Sequence, residues 1–472
     1  MPFSSPRTKL LVVLLAISIV IAAAAVIVIA SNRSGGTRAA DAQGTGDSLF
    51  PRIGTSAYDV RHYTIELTYA DDGSIRARTT ITARTPHPLE SFALDFVGLE
   101  VDDVIVDGEP AESDTAEEKL TITPESPVEG TFKAVVDYHG TPKTYEDPDG
   151  SSEGWIPTDR GVTVMSQPIG AMSWFPNNNT PTDKATFDIE LTVPDDLEAA
   201  SNGVLAGKRP GKGGTTWDWE QPEPMVPYLA MISIGEYQVF ESSMTLDDGR
   251  ELPIWSFIDP SFGPLEKKRA LLEESIRLGE RLYGPYPAAS AGIVVEKVGV
   301  DYALETQDRA VYDGDPDDLT IMHETAHQWV GNSVGLEDWG DIWINEGFAT
   351  HAEWSWTAER GGVGLAESFS ETYETHDEND EFWKLPPADL GSAENLFSDP
   401  TYYRGAMTLE ELRQRIGDDD FAELRIAWPS RNEGRTATTE DFIALAEKIS
   451  GDDLGSFFET WLYQPGRPTL EN

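Results

Sequence analysis

Cysteine is absent from this chain of 472 residues. That excludes disulfides, cysteine-ligated iron–sulfur clusters, cysteine nucleophiles and a lipoprotein anchor. Stability has to come from packed cores, even in an oxidising compartment. Positive charge is scarce: 35 Lys and Arg stand against 83 Asp and Glu, a net charge of −48. Such a surface repels phosphates, so nucleic acid is excluded as a partner. Internal repeats are also missing. Hydrophobic residues at 39% and aromatics at 10% are enough for real cores and exclude a disordered chain. The length suits two or three domains. Acidic runs at 313–318, 376–381 and 418–420 lack the EF-hand spacing and read as solvated loops.

At the amino terminus Arg7 and Lys9 precede an uncharged run over 10–30. Its 21 residues as helix span about 31 Å, close to the ~30 Å of bilayer hydrocarbon. A secretory apolar core is shorter, about 7–15 residues. The run therefore reads as an uncleaved signal-anchor in preference to a cleaved signal, although sites after Ala30 and Ala42 keep cleavage open. Charge before the span puts the body outside. The expected location is extracytoplasmic, membrane-anchored by this one helix or secreted after cleavage. Residues 31–50, rich in Gly, Ser, Ala and Asp, read as a flexible linker.

From 51 to 239 the pattern is strand. Residues 63–68 and 75–82 alternate about an Asp72-Gly73 turn, and Phe187, Ile189, Leu191 and Val193 recur at period two. An antiparallel saddle or sandwich is expected there. From 240 to 472 the texture becomes α/β. Helices are predicted over 265–282, 319–331 and 345–360, the last ended by Gly361-Gly362. Others are predicted over 403–416, 420–426, 440–449 (with Thr439 as N-cap) and 454–463. The fold class is α+β.

The run His323-Glu324-Thr325-Ala326-His327 is followed, nineteen residues later, by Glu346 in WINEGFAT. On a helix, H-E-x-x-H puts two imidazoles one turn apart on one face. Both can grip one zinc ion at about 2.0–2.1 Å. Glu346 is the candidate third ligand, which leaves a fourth position open, as in catalytic sites. Glu324 projects beside that position as candidate general base. The other histidines (His62, His87, His139, His351, His376) show no ligand spacing and read as structural or surface residues. Trp329, Trp339, Trp343, Trp354 and Trp356 read as core.

HETAHQWVGN and WINEGFATHAEW together resemble the zinc-helix and third-ligand segments of the aminopeptidase-N / leukotriene A4 hydrolase family of gluzincin zinc peptidases. WFPNNNTPTDKATF and the closing FFETWLYQPGRPTL are similar to further family segments. The resemblance covers about 51–472. It implies a β-rich saddle domain followed by a thermolysin-like zinc peptidase domain, with zinc as cofactor and peptides bearing a free amino terminus as substrates. Tyr402-Tyr403-Arg404-Gly405 resembles the family's Y-x-K-G, which implies Tyr402 as catalytic tyrosine, with Tyr403 the runner-up. Tyr302-Ala303-Leu304-Glu305-Thr306 stands where the family has G-A-M-E-N, which implies Glu305 as amine-binding carboxylate. Gln167, nine residues before Pro176, matches a residue that helps hold the substrate's amino end. Arg404 replaces the family's Lys, and only Ala and Glu remain of G-A-M-E-N. The resemblance stops with Asn472, so a short form without the family's C-terminal helical domain, and with looser length selection, is expected. A thermolysin-type zinc endopeptidase and a silent peptide-binding module are the competing readings. Nothing in the residues supports action on a lipid epoxide.

Overall fold

A computed structural model describes residues 44–470. The signal-anchor expected over 10–30 and the first part of the linker lie outside the described residues. Among the described residues no helix is long and apolar enough to cross a membrane.

The linker expected over 31–50 does not hold for its last seven residues, 44–50, which are packed. Thr45 N–H bonds Ile53 O at 3.1 Å. Phe50 is buried, its ring centroid 6.1 Å from that of Trp339. The Asp47 carboxylate accepts from Leu49, Phe50 and Trp339 N–H groups at 2.9, 2.8 and 2.8 Å. Short polar side chains that signal a linker also make turn hydrogen bonds. Phe50 against Trp339 and the Asp47 bond to Trp339 N–H then dock the segment.

The β half contains an eight-stranded sheet. Its strand order is Val204–Gly211, Gly214–Met225, Ala185–Val193, Asp59–Tyr69, Ile75–Leu89, Val128–Gly140, Glu100–Val106, Glu109–Pro110. Alternation builds its inner face: Tyr63, Ile65 and Leu67 point into the core while Thr64, Glu66 and Thr68 do not. The sheet is not wholly antiparallel, as the alternation had suggested. Asp59–Tyr69 runs parallel to Ala185–Val193, because a long crossover carrying the smaller sheets separates the two in sequence. A five-stranded sheet packs on it, ordered Glu198–Ser201, Ile232–Gly235, Val162–Met165, Ser152–Pro157, Thr144–Glu146.

The second half opens with a mixed sheet ordered Gln238–Thr245, Glu251–Ile258, Ala291–Glu296, Arg309–Asp313, Ala303–Leu304. Its faces divide the molecule. Ile254, Ile258, Ile293 and Val295 join the helical core, while Phe257, Val294 and Val311 join the β core. Strand Ala291–Glu296 is buried along its whole length, as a strand covered on both faces should be.

Among the described residues the α-helices are α1 (Glu266–Tyr283), α2 (Asp318–Ala326), α3 (Trp343–Glu359), α4 (Leu365–Thr375), α5 (Gly405–Ile416), α6 (Asp418–Asn432), α7 (Thr439–Ser450) and α8 (Gly455–Phe458). The spacing had not suggested α4, and α6 runs further than 420–426. The N-cap of α7 is Thr438, not Thr439. Thr438 and Asp441 form a reciprocal capping box, while the Thr439 hydroxyl bonds Asp341 at 2.6 Å and accepts from Trp343 Nε1 at 2.9 Å. Two adjacent threonines offer equal cap propensity, and the acid three residues after Thr438 decides between them. The five tryptophans expected in the core are buried there.

Candidate active site

α2 begins where Asp317 caps it, its carboxylate accepting from Leu319 and Thr320 N–H groups at 2.9 and 2.8 Å. The acidic run 313–318 is therefore not simply a solvated loop. Asp313 also collects the N–H groups of Val298, Gly299, Val300 and Asp301 at 2.7–3.0 Å. α2 is shorter than predicted and ends at Ala326, with His327 in the closing turn. The one-turn offset survives, and the two imidazole centroids lie 4.8 Å apart.

Glu346 comes from the first turns of α3. Its Oε2 lies 3.3 Å from His323 Nε2 and 3.5 Å from His327 Nε2. Ligands held tetrahedrally at about 2.0–2.1 Å from zinc stand about 3.4 Å from one another. The three side chains thus already have the separations such an ion needs, and one ligand atom from each lies within 4.8 Å of the others. The outer ring nitrogens are engaged. His323 Nδ1 lies 2.7 Å from Glu353 Oε1, and His327 Nδ1 lies 3.2 Å from Val330 O. Fixing Nδ1 this way turns Nε2 toward the metal position. The donor set and its surroundings fit zinc.

The opposite wall holds Gln167 and Glu305. Gln167 Nε2 donates to Glu305 Oε1 at 2.7 Å. Glu305 follows the edge strand Ala303–Leu304 of the mixed sheet. Its backbone oxygen is pinned by Asn332 Nδ2 at 2.6 Å and Gln328 Nε2 at 3.2 Å. Gln328 Oε1 in turn accepts from Asp308 N–H at 2.9 Å. Residues just beyond the zinc histidines thereby lock the Glu305 segment against α2.

Tyr402 lies in a π-helical turn, Pro400–Arg404, that leads into α5. Its ring centroid is 6.0 Å from that of His323. Tyr403 is 42% exposed at the rim. Two glycines set how near this turn comes to Glu346. A Cβ on Gly347 would stand 2.8 Å from the backbone carbon of Gly405, and one on Gly405 would stand 3.1 Å from Gly347 Cα. Only hydrogen permits that crossing of α3 and α5. Arg404 is fully buried and donates to the carbonyls of Trp461, Trp383, Leu385, Thr460 and Gln464. The forked guanidinium, unlike a lysine ammonium, reaches all five.

All seven residues singled out from the sequence line one open cleft of about 1100 Å³, with Tyr302, Ala303, Glu353 and Tyr403. Burial raises the Glu324 carboxyl to about 7, against the pull of the two imidazoles. Burial opposes the charge on Glu346 as well, yet His327 and His323 hold it low, at about 2. Two neighbouring acids in one cleft are thus pushed apart in proton affinity. Burial lifts the Tyr402 phenol well above its usual range, and Glu346 adds to the rise, so it remains an O–H donor. His351 stays out of the site, as expected, 3.4 Å from the buried Glu410.

Three contributors escaped the sequence reading. Glu353 stands seven residues after Glu346, two turns along the same face of α3, a spacing that could have found it. Gln328 and Asn332 carried no such signal, because their partner is a backbone oxygen distant in sequence.

Two family models match the chain: the Peptidase M1 N-terminal domain over 59–229 and the Peptidase family M1 domain over 303–461. Among curated proteins, aminopeptidase M1-D of Oryza sativa subsp. japonica is 24% identical over 343 residues, 66% of this chain and 38% of that protein. The chain thus spans well under half the length of that relative. An M1 zinc metallopeptidase from Deinococcus radiodurans overlays with a TM-score of 0.82 at 26% identity, covering 91% of this chain and 98% of the other. A mutant of that metallopeptidase is bound to a Tyr-Ser-Ala substrate.

Proposed function

This chain belongs to peptidase family M1, matching both the N-terminal and the peptidase parts of that family, and on that premise we propose that it is a zinc aminopeptidase releasing single residues from the free amino end of peptides. The observation that carries the reading is the pairing of a three-ligand zinc cage with a buried carboxylate, Glu305, held across the same cleft by Gln167.

His323, His327 and Glu346 would hold the zinc. When bound, zinc supplies a Lewis acid that activates water and polarises the scissile carbonyl. Glu324, buried and raised toward neutrality, takes the proton of the attacking water and returns it to the leaving amine. The Tyr402 O–H donates to the oxygen of the carbonyl under attack as charge develops there. Glu305 pairs with the substrate's α-ammonium, a charge-assisted bond that an N-blocked peptide cannot make. Gln167 orients Glu305 and adds a donor and an acceptor. The edge strand Ala303–Leu304 offers main-chain groups to an extended peptide. Tyr403, more exposed and further out, is assigned to the rim.

The test is hydrolysis of a panel of aminoacyl chromogenic amides beside their N-acetylated counterparts, with and without a zinc chelator. Chelator-sensitive cleavage of the free-amine substrates alone is expected. Cleavage of the blocked series would point to a thermolysin-type endopeptidase, and no cleavage of either to a silent binding module.

An extracytoplasmic placement through the uncharged run over 10–30 belongs to the same proposal and rests on the sequence alone. Fractionation of cells expressing the full chain tests it: recovery in the cytosolic fraction would refute it.

A further inference from the structure

The segment WFPNNNTPTDK, residues 174–184, follows Gln167 and leads into strand Ala185–Val193. Asn179 is buried, and its Nδ2 donates to Ile169 O at 2.7 Å. Glu153 Oε2 accepts from Ile169 N–H at 3.0 Å. The backbone two residues beyond Gln167 is thus held through both its groups. At the other end of the segment Lys184 reaches out of the β half. Its Nζ donates to Asn332 O at 2.6 Å and to Ser333 O at 2.8 Å. Both carbonyls belong to the turn that follows α2. Among the described residues no carboxylate pairs with Lys184, and burial lowers its ammonium to about 7. A cation kept from water without a counter-charge is costly, so the two carbonyls alone fix its place. The chain also passes close to the lysine stem: a Cβ on Gly335 would stand 2.9 Å from Lys184 Cε.

We propose that Lys184 is a positioning residue for recognition of the substrate's ammonium, acting through Asn332; this rests on the aminopeptidase reading. Asn332 is buried and makes three ties. Its carbonyl accepts from Lys184, its N–H donates to His327 O at 2.9 Å, and its Nδ2 donates to Glu305 O at 2.6 Å. Lys184 therefore fixes, from the β half, the residue that fixes Glu305. Without the ammonium, the Asn332 and Ser333 carbonyls lose a charge-assisted donor. The turn then loosens, and Glu305 drifts from Gln167 Nε2, which stands 2.7 Å from its carboxylate. The zinc cage hangs on other bonds, from Glu353 to His323 Nδ1 and from Val330 O to His327 Nδ1. The loss falls on binding of the amine, not on the metal or on turnover.

The test uses the full zinc-loaded chain and the aminoacyl amide it cleaves best. Lys184→Met keeps the apolar stem and removes the donors. It should raise KM several-fold, with kcat and zinc content nearly unchanged, and Lys184→Arg, which restores donors, should recover part of the loss. Competitive inhibition by the matching free amino acid should weaken several-fold in Lys184→Met, while inhibition by the same acid lacking its amine should not change. Added to Asn332→Ala, Lys184→Met should raise KM no further, because both cut one link. Should Lys184→Met fail to fold, Gly335→Ala, which presses a methyl on the lysine stem, is expected to give the same amine-selective loss. Equal weakening of the two inhibitors, additive effects in the double variant, or a fall confined to kcat would overturn the proposal and leave Lys184 a structural clamp. Failure of the aminopeptidase reading shows separately, as wild-type cleavage of N-acetylated substrates or of none.

Discussion

On one wall of the cleft, His323 on α2 and His327 in its closing turn sit a turn apart, and Glu346 and Glu353 two turns apart on α3. Within each pair the relative position follows from helix geometry, and the close crossing of α3 and α5 sets how near Tyr402 comes to Glu346. On the other wall, Gln167 and Glu305 come from segments 138 residues apart and stand on loops and a two-residue edge strand. What holds that wall is a set of single hydrogen bonds: Asn332 and Gln328 on the Glu305 carbonyl, Asp313 on four successive N–H groups, Glu153 behind Gln167. A wall of packed helices tolerates loss of one contact, whereas a wall of discrete bonds fails locally when one is cut. On the proposed reading, reaction chemistry sits on the first wall and substrate recognition on the second.

The largest effect should come from removing the proton carrier of the helical wall. Glu324→Gln is expected to lower kcat by about 10²–10⁴-fold, with zinc content unchanged by metal analysis. Loss of zinc along with activity would show that Glu324 supports the cage instead. Next comes Arg404→Ala, which leaves five carbonyls without their donor and should cost at least about 3 kcal/mol in denaturant unfolding; Arg404→Lys should recover only part of it. A mutant as stable as wild type would mean that water replaces the guanidinium. Gly347→Ala forces α3 and α5 apart and should cost about 1–3 kcal/mol. It should also lower kcat by moving Tyr402 relative to Glu346. The discrete wall is probed by Asn332→Ala, which removes the shorter of the two hydrogen bonds on the Glu305 carbonyl. It should raise KM for free-amine substrates several-fold, about 1 kcal/mol of binding, while leaving zinc affinity and stability nearly intact. An equal loss in zinc binding would erase the distinction between the two walls.

How much of this could be read in advance follows the same divide. The i and i+4 histidines, the alternation at Tyr63–Ile65–Leu67 and the helical texture past 240 are periodic, so they stand out in one sequence. The resemblance then supplied Tyr402, Glu305 and Gln167, which no periodicity marks. Roles that depend on a distant partner were hidden. Arg404 was legible as a substitution for lysine, but not as the hub of five carbonyls. Asp313 and Asp317 read as a solvated acidic run because charge pattern says nothing about which backbone groups a loop will present. Residues 44–50 read as linker because their docking depends on Trp339, nearly three hundred residues on.

On the proposed reading, Glu305 makes this cleft an aminopeptidase site. The most direct measurement is kcat/KM for one aminoacyl amide and its N-acetylated counterpart, in wild type and in Glu305→Gln. The wild type should cleave only the free amine. The variant should lose about 10–100-fold on that substrate while keeping its zinc. Turnover of the acetylated substrate by the wild type, or a Glu305→Gln chain as active as its parent, would contradict the account.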